Sequence, residues 1–360
     1  MNLRPLIDDD TIALAIRLLL GRPPRDTAEV AALREHRSTA TLRLALMQGE
    51  EFQRALPRST RASSSPGIAY ALPLDLLRPP DDPAIPWRFV APDLRQPVSQ
   101  LCTASQFEEP DYRRWCGALR EAPKYHRKQW EFVWQLAVLD KAGLLKPGAR
   151  GLGFGTGREK MPSLFAKLGI EVVASDAPKT TVETQGWAAT GQHATSQDDL
   201  FHDGIVTEDV FAARVQFQEV DMNAIPAKLT GFDFCWSSCA LEHLGSIKHG
   251  LDFIDRSLET LRPGGIAVHT TEFNLSSDEA TLETPGLVLF RRQDVLALAA
   301  RLMAAGHRVW PINLHPGDAP IDAHIDLPPY ALPHLKLLAQ GWVTTSLGIA
   351  VERGPVNARG

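Results

Sequence analysis

Cysteine, tyrosine and net charge are all scarce in this 360-residue chain, and each scarcity excludes something. The four cysteines (Cys102, Cys116, Cys235, Cys239) form no metal-ligand pattern and no disulfide framework. Two of them lie in or beside an apolar run, so they read as reduced packing residues of a cytoplasmic protein. A formal net charge of −5 gives no general attraction to nucleic acid, and no such partner is expected. No segment approaches the roughly 18 apolar residues that a membrane span requires. The first apolar run has no basic flank and contains Arg17, so no signal peptide is expected either. Three short motifs are missing as well: G-x-x-x-x-G-K-[ST] for a phosphate loop, G-x-G-x-x-G for a dinucleotide loop, and the zinc-binding H-E-x-x-H. What remains, with 44% hydrophobic and 22% charged residues, is an ordinary globular composition.

The informative stretch is 147–176, PGARGLGFGTGREKMPSLFAKLGIEVVASD. Glycines alternate at Gly151, Gly153, Gly155 and Gly157. Met161, Leu164, Phe165 and Leu168 then repeat at helical spacing, and the apolar run Val172–Ala174 closes on Asp176. Strand, glycine loop, helix, strand and acid make the first βαβ unit of a nucleotide-binding doubly wound sheet. Glycine lets backbone approach a ligand, because it has no Cβ and accepts positive φ. An acid 19 residues beyond Gly157 (176 − 157) suits two ribose hydroxyls. From Gly151 or Gly153 the third glycine of a dinucleotide loop would fall on Thr156 or Arg158, so that fingerprint fails in both registers.

Downstream the spacing continues. VQFQEVDMN (215–223) is a short strand ending near Asp221 and Met222. FDFCWSSCALEHL (232–244) is a strand running into Leu241-Glu242-His243. Ile247, Leu251, Ile254, Leu258 and Leu261 mark a helix that LRPGG ends, and Ile266–Phe273 gives the next strand. With G-x-G-x-G as motif I, this series resembles the class I S-adenosylmethionine-dependent methyltransferases. The resemblance implies an α/β fold with a Rossmann-like seven-stranded methyltransferase sheet, helices on both faces, and S-adenosyl-L-methionine as cofactor. It implies that Gly151, Gly153, Gly155 and Gly157 line the cofactor, that Asp176 takes the ribose, and that Asp221 with Met222 takes the adenine. One departure stands out. The family's acid two residues before the first loop glycine is replaced here by Gly151, which leaves the methionine amino group without its usual partner. Arg127 or Lys128, in KYHRKQWEF (124–132), is a candidate for the methionine carboxylate.

Three zones follow from composition. Residues 1–56 are helical in pattern, with Ile12, Ile16, Leu19 and Leu20 on one face, Asp10 or Thr11 as cap, and Gly21 with Pro23 and Pro24 as stop. AIRLLLGRPPRDTAEV, closing at Glu50–Phe52, resembles the DUF4214 helical module, which is often attached to bacterial enzymes and proteins of surface-polysaccharide systems; Gly49-Glu50 replaces its usual serine-proline. A docking partner for that module would follow. Residues 57–99 hold nine prolines and read as a linker, with Trp87, Phe89 and Val90 as docking points. Residues 100–360 are the expected methyltransferase domain, opening with a helical cap over 111–143. His307–Leu314 and Val343–Val351 read as its last two strands, separated by the 28-residue insertion 315–342. A plain hairpin needs two to five residues, so this insertion reads as functional.

Methyl transfer from a sulfonium is an in-line displacement and asks mainly for positioning at about 3 Å. A hydroxyl acceptor also wants a general base, for which histidine is suited. The resemblance places His243 near the methyl group, with Glu242 and Glu272 to orient it. His193 is a second base candidate, and His193, Asp326 and Tyr330 are the candidate acceptor contacts. Glu242 and Glu272 could alternatively bind a divalent ion, but no tight metal spacing occurs and no resident metal is expected. The acceptor expected from the module and the polar insertion is a sugar or surface-polysaccharide precursor. The alternatives are another small molecule or amine, or a non-catalytic S-adenosylmethionine-binding scaffold.

Overall fold

The structure is a computed structural model that describes residues 7–36, 39–55, 72–73, 76, 78–178 and 193–355. Most of the first half of the proline-rich stretch, and residues 190–192 of the insertion after the second strand, lie outside the described residues. The N-terminal helices are α1 (Asp9–Leu20), α2 (Thr27–Leu33), α3 (Thr39–Gln48) and α4 (Glu50–Ala55). The cap of α1 is Asp8, whose carboxylate accepts from the Thr11 amide at 2.7 Å, rather than Asp10 or Thr11. Gly21 ends the helix at φ +68°. Ile12, Ile16, Leu19, Leu42, Leu46 and Phe52 bury a small core of their own.

The main body alternates strands and helices: β1 (Trp87–Arg88), β2 (Ser99–Leu101), α5 (Pro110–Ala118), α6 (Arg127–Lys141), β3 (Arg150–Phe154), α7 (Met161–Lys167), β4 (Glu171–Asp176), α8 (Glu208–Arg214), β5 (Val215–Glu219), β6 (Phe232–Ser238), α9 (Ile247–Glu259) and β7 (Leu261–Asn274). It continues with β8 (Glu283–Thr284), β9 (Leu287–Val288), α10 (Arg292–Ala304), β10 (Arg308–Val309), β11 (Ile312–Asn313), β12 (Ile325–Asp326), β13 (Lys336–Ala339) and β14 (Trp342–Glu352). The sheet runs β1-β11-β2-β14-β7-β6-β3-β4-β5, with β14 antiparallel to β7 and the run from β7 to β5 parallel. Helices α5 to α8 cover one face around Trp130, Trp134, Phe165 and Trp236, and α9 and α10 cover the other around Phe253 and Leu298. The expected Rossmann-like α/β sheet is therefore present, enlarged by short added strands.

Three differences from the sequence reading have physical causes. The last parallel strand is split at Trp310-Pro311. Its first part pairs with β14, and β2 then slots between β14 and β11. Residues 87–88 and 99 are thus sheet rather than linker, β2 running on to Leu101, and Trp134 Nε1 donates to the Val98 carbonyl at 2.9 Å. The LRPGG turn lies inside β7, where the ladder shifts register between Phe232 and Phe234. The insertion 315–342 is partly ladder: β13 pairs with β14 around Gln340 and Gly341, and Tyr125 and Arg127 exchange backbone hydrogen bonds with His334.

Candidate functional site

The strands β3, β4 and β6 end side by side, and the glycine turn sits between them. Gly155 and Gly157 take φ of +57° and +52°. A Cβ on Gly155 would meet the Ala240 methyl at 2.8 Å and Met222 Sδ at 3.5 Å; one on Gly153 would meet Trp236 at 2.5 Å. Only glycine keeps this backbone open, and Met222 already stands against it, buried. Asp176, at the end of β4, accepts from the Gly157 amide at 3.1 Å and the Ala177 amide at 2.8 Å. Burial raises its pKa, opposed by the Ala194 amide at 3.0 Å and by His193, whose Nδ1 is 3.1 Å from Oδ1. Asp221 is exposed and accepts from the Asn223 amide at 2.8 Å. An open glycine turn, a buried acid and an exposed acid beside a buried methionine fit an adenosine.

His193, expected as an acceptor contact or second base, is paired with Asp176 in this structure. The four donors around Asp176 occupy the lone-pair positions that a carboxylate offers.

On the other side of the turn, the N-terminus of α6 faces the ends of β6, β7 and β14. Glu131 is fully buried and accepts from Ser346 Oγ at 2.6 Å, Cys239 Sγ at 3.0 Å, Thr270 Oγ1 at 3.1 Å and Lys128 Nζ at 3.2 Å. Burial alone would raise its carboxyl, but Lys128 and Arg127 outweigh it and hold it ionised. Arg127 is ion-paired with Glu272 and lies 3.5 Å from Glu131. Glu242 accepts from Thr271 at 3.0 Å, and burial raises its pKa against the pull of His243. The Cys239, Glu242 and Glu272 ligand atoms come within 4.8 Å of one another. Arg127 already contacts two of these three, with Nη1 3.8 Å from Cys239 Sγ, so the positive charge at this cluster is a guanidinium. Cys239 itself takes φ +47° at the turn after β6.

His243 Nδ1 lies 2.7 Å from the Gly286 carbonyl, which fixes the ring. When Nδ1 donates to that carbonyl, the neutral imidazole carries its lone pair on Nε2. Glu272 is ion-paired with Arg127 and also accepts from Thr344 at 2.9 Å. In the insertion, Asp326 is consumed locally, 2.5 Å from His334 Nδ1 and accepting from the Ala331 amide at 3.2 Å. That leaves Tyr330, 48% exposed with its hydroxyl donating to Leu338 O at 2.8 Å, as the side chain able to meet a ligand. Sequence reading missed Glu131 and Glu159. Glu131 had a signal, since it lies four residues past Arg127 on one helix; the sequence carried none for the Glu159 contact with Trp236.

Residues 152–269 match the family described as a methyltransferase domain. Solved structures similar to the chain include a TehB-like SAM-dependent methyltransferase from Corynebacterium glutamicum, 15% identical, covering 67% of this chain and 95% of that one with a TM-score of 0.34. The CcbJ methyltransferase from Streptomyces caelestis is 12% identical, over 60% and 93%, with a TM-score of 0.35. The glycopeptide N-methyltransferase MtfA, complexed with sinefungin, is 14% identical, over 61% and 91%, with a TM-score of 0.34. No curated protein matches significantly. The glycine turn, the strand order and the family match agree, and residues 152–269 carry a class I S-adenosylmethionine-dependent methyltransferase domain.

Proposed function

We propose that this enzyme transfers the methyl group of S-adenosylmethionine to a hydroxyl of a small, hydroxyl-rich acceptor, such as a sugar or a surface-polysaccharide precursor, with His243 as general base. When bound, the cofactor supplies an electrophilic methyl group on a sulfonium. The residues suited to hold it are the glycine turn, Asp176, and Asp221 with Met222. The observation that carries the reading is the fixed ring of His243, which follows β6 in the chain and whose Nδ1 lies 2.7 Å from the Gly286 carbonyl between β8 and β9. A positioned base accepts the hydroxyl proton as the oxygen attacks, which contributes typically about 10²–10⁴ in rate. Burial raises the pKa of Glu242, the preceding residue, against the downward pull of His243, and Glu272 is ion-paired with Arg127. Tyr330 offers an aromatic face to a sugar ring.

A second reading, methylation of an amine, draws on the carboxylates of Glu242 and Glu272 near His243. An amine with its lone pair free needs no base in the transfer step. A methyl-release assay across sugars, nucleotide sugars and amines separates the two, run on wild type and His243→Ala. Hydroxyl acceptors turned over by wild type and not by His243→Ala support the proposal. Turnover of amines alone, undiminished in His243→Ala, would replace it with the second reading.

A further inference from the structure

The chain has no acid at Gly151, and the structure shows why none fits there. A Cβ on Gly151 would lie 2.5 Å from the Phe234 ring, which fills that side of β3. The methionine end of the cofactor is a zwitterion, so its ammonium group requires an acceptor from elsewhere. We propose that Glu159 receives this ammonium, with Lys128 facing the carboxylate of the same amino-acid moiety. The inference rests on S-adenosylmethionine being the cofactor and names residues outside the family's motif positions.

Glu159 lies two residues beyond Gly157 and is half-buried at the mouth between β3 and β6. Its Oε2 accepts from Trp236 Nε1 at 3.1 Å. The Trp236 ring itself occupies the space a Gly153 side chain would need, so one indole fixes both the turn and this carboxylate. Trp236 and Ser238 from β6, and Lys128 and Glu131 from α6, are the groups that act electrostatically on Glu159. Lys128 is spoken for by Glu131 at 3.2 Å, but its side chain remains 39% exposed and can serve a second carboxylate. A carboxylate offers about four lone-pair positions, so acceptor capacity remains beside the indole N–H. Burial pushes the Glu159 carboxyl up to about 8, against the pull of Trp236. An incoming ammonium supplies the missing positive charge and makes the ionised form the favoured one.

Calorimetry on the full chain tests this with two probes. S-adenosylhomocysteine carries the amino-acid moiety, and 5′-methylthioadenosine lacks it. Glu159→Gln keeps the shape and the acceptor for Trp236 while removing the charge. It should weaken S-adenosylhomocysteine about tenfold or more, as loss of a charge-assisted hydrogen bond does, and leave methylthioadenosine unchanged. Wild type should also release a proton on binding S-adenosylhomocysteine at pH 7, read from enthalpies in buffers of different ionisation heat, and none on binding methylthioadenosine. Unchanged affinity in Glu159→Gln, equal loss for both probes, or no proton release specific to S-adenosylhomocysteine would overturn the proposal. Failure of wild type to bind either probe would instead strike the cofactor assignment, and this inference with it.

Discussion

At the scale of single residues the proposed chemistry falls on side chains whose partners are fixed by the fold. His243 is tied to Gly286, Arg127 to Glu272, and Glu131 to four donors. Replacing His243 by alanine should lower kcat by about 10²–10⁴ while leaving S-adenosylhomocysteine affinity unchanged, because a base acts in the transition state alone. Partial recovery at high pH is expected if the acceptor is a hydroxyl, and full turnover at neutral pH would remove His243 from the mechanism. Tyr330→Ala should act on KM instead, since under the proposed sugar acceptor its exposed ring contributes binding rather than proton transfer. Steady-state kinetics that show kcat falling with KM constant would contradict that division.

Among the elements, the first βαβ unit was legible in the sequence because its signals are local: glycines that need positive φ, an amphipathic helix, and an acid at a strand end. The same holds for β5 to β7 and for the hydrophobic faces of α7 and α9. The role of residues 87–101 was not legible. β1 and β2 are two and three residues long, sit among prolines, and owe their place to partners more than 200 residues away. Ionic partnerships at the site were hidden for the same reason, since Arg127 meets Glu272 across 145 positions (272 − 127). Tight packing beneath α6 gives an element-level test. Gly348 on β14 lies where a Cβ would meet the Trp134 indole at 2.5 Å. Gly348→Ala should therefore destabilise by about 1–3 kcal/mol through overpacking. An unchanged denaturation midpoint would show that Trp134 shifts without cost.

For the whole molecule, the sheet ties residues 87–101 to the catalytic body, while the N-terminal helices keep a separate small core and touch the 320–323 turn. A chain beginning at residue 72 should unfold cooperatively and bind cofactor, whereas one beginning at residue 100 loses β1, Ser99 and the Val98 carbonyl that Trp134 uses. Equal thermal stability of the two would contradict this boundary. Stability should also depend on pH through Glu159. Its carboxyl is raised from 4.5 to about 8 in the folded state, so the folded chain holds this proton more tightly than the unfolded one. The corresponding stability is full below about 4.5 and lost as pH rises through about 8. Glu109 and Asp322, both raised to about 6, add to the lower part of that window, so the difference between wild type and Glu159→Gln isolates the contribution of Glu159. The most direct check of the central claim is titration of the full chain with S-adenosylhomocysteine, beside Asp176→Ala. The account predicts that wild type binds and that Asp176→Ala binds about tenfold more weakly or worse, with its fold retained. No binding by wild type, or equal affinity in Asp176→Ala, would contradict it.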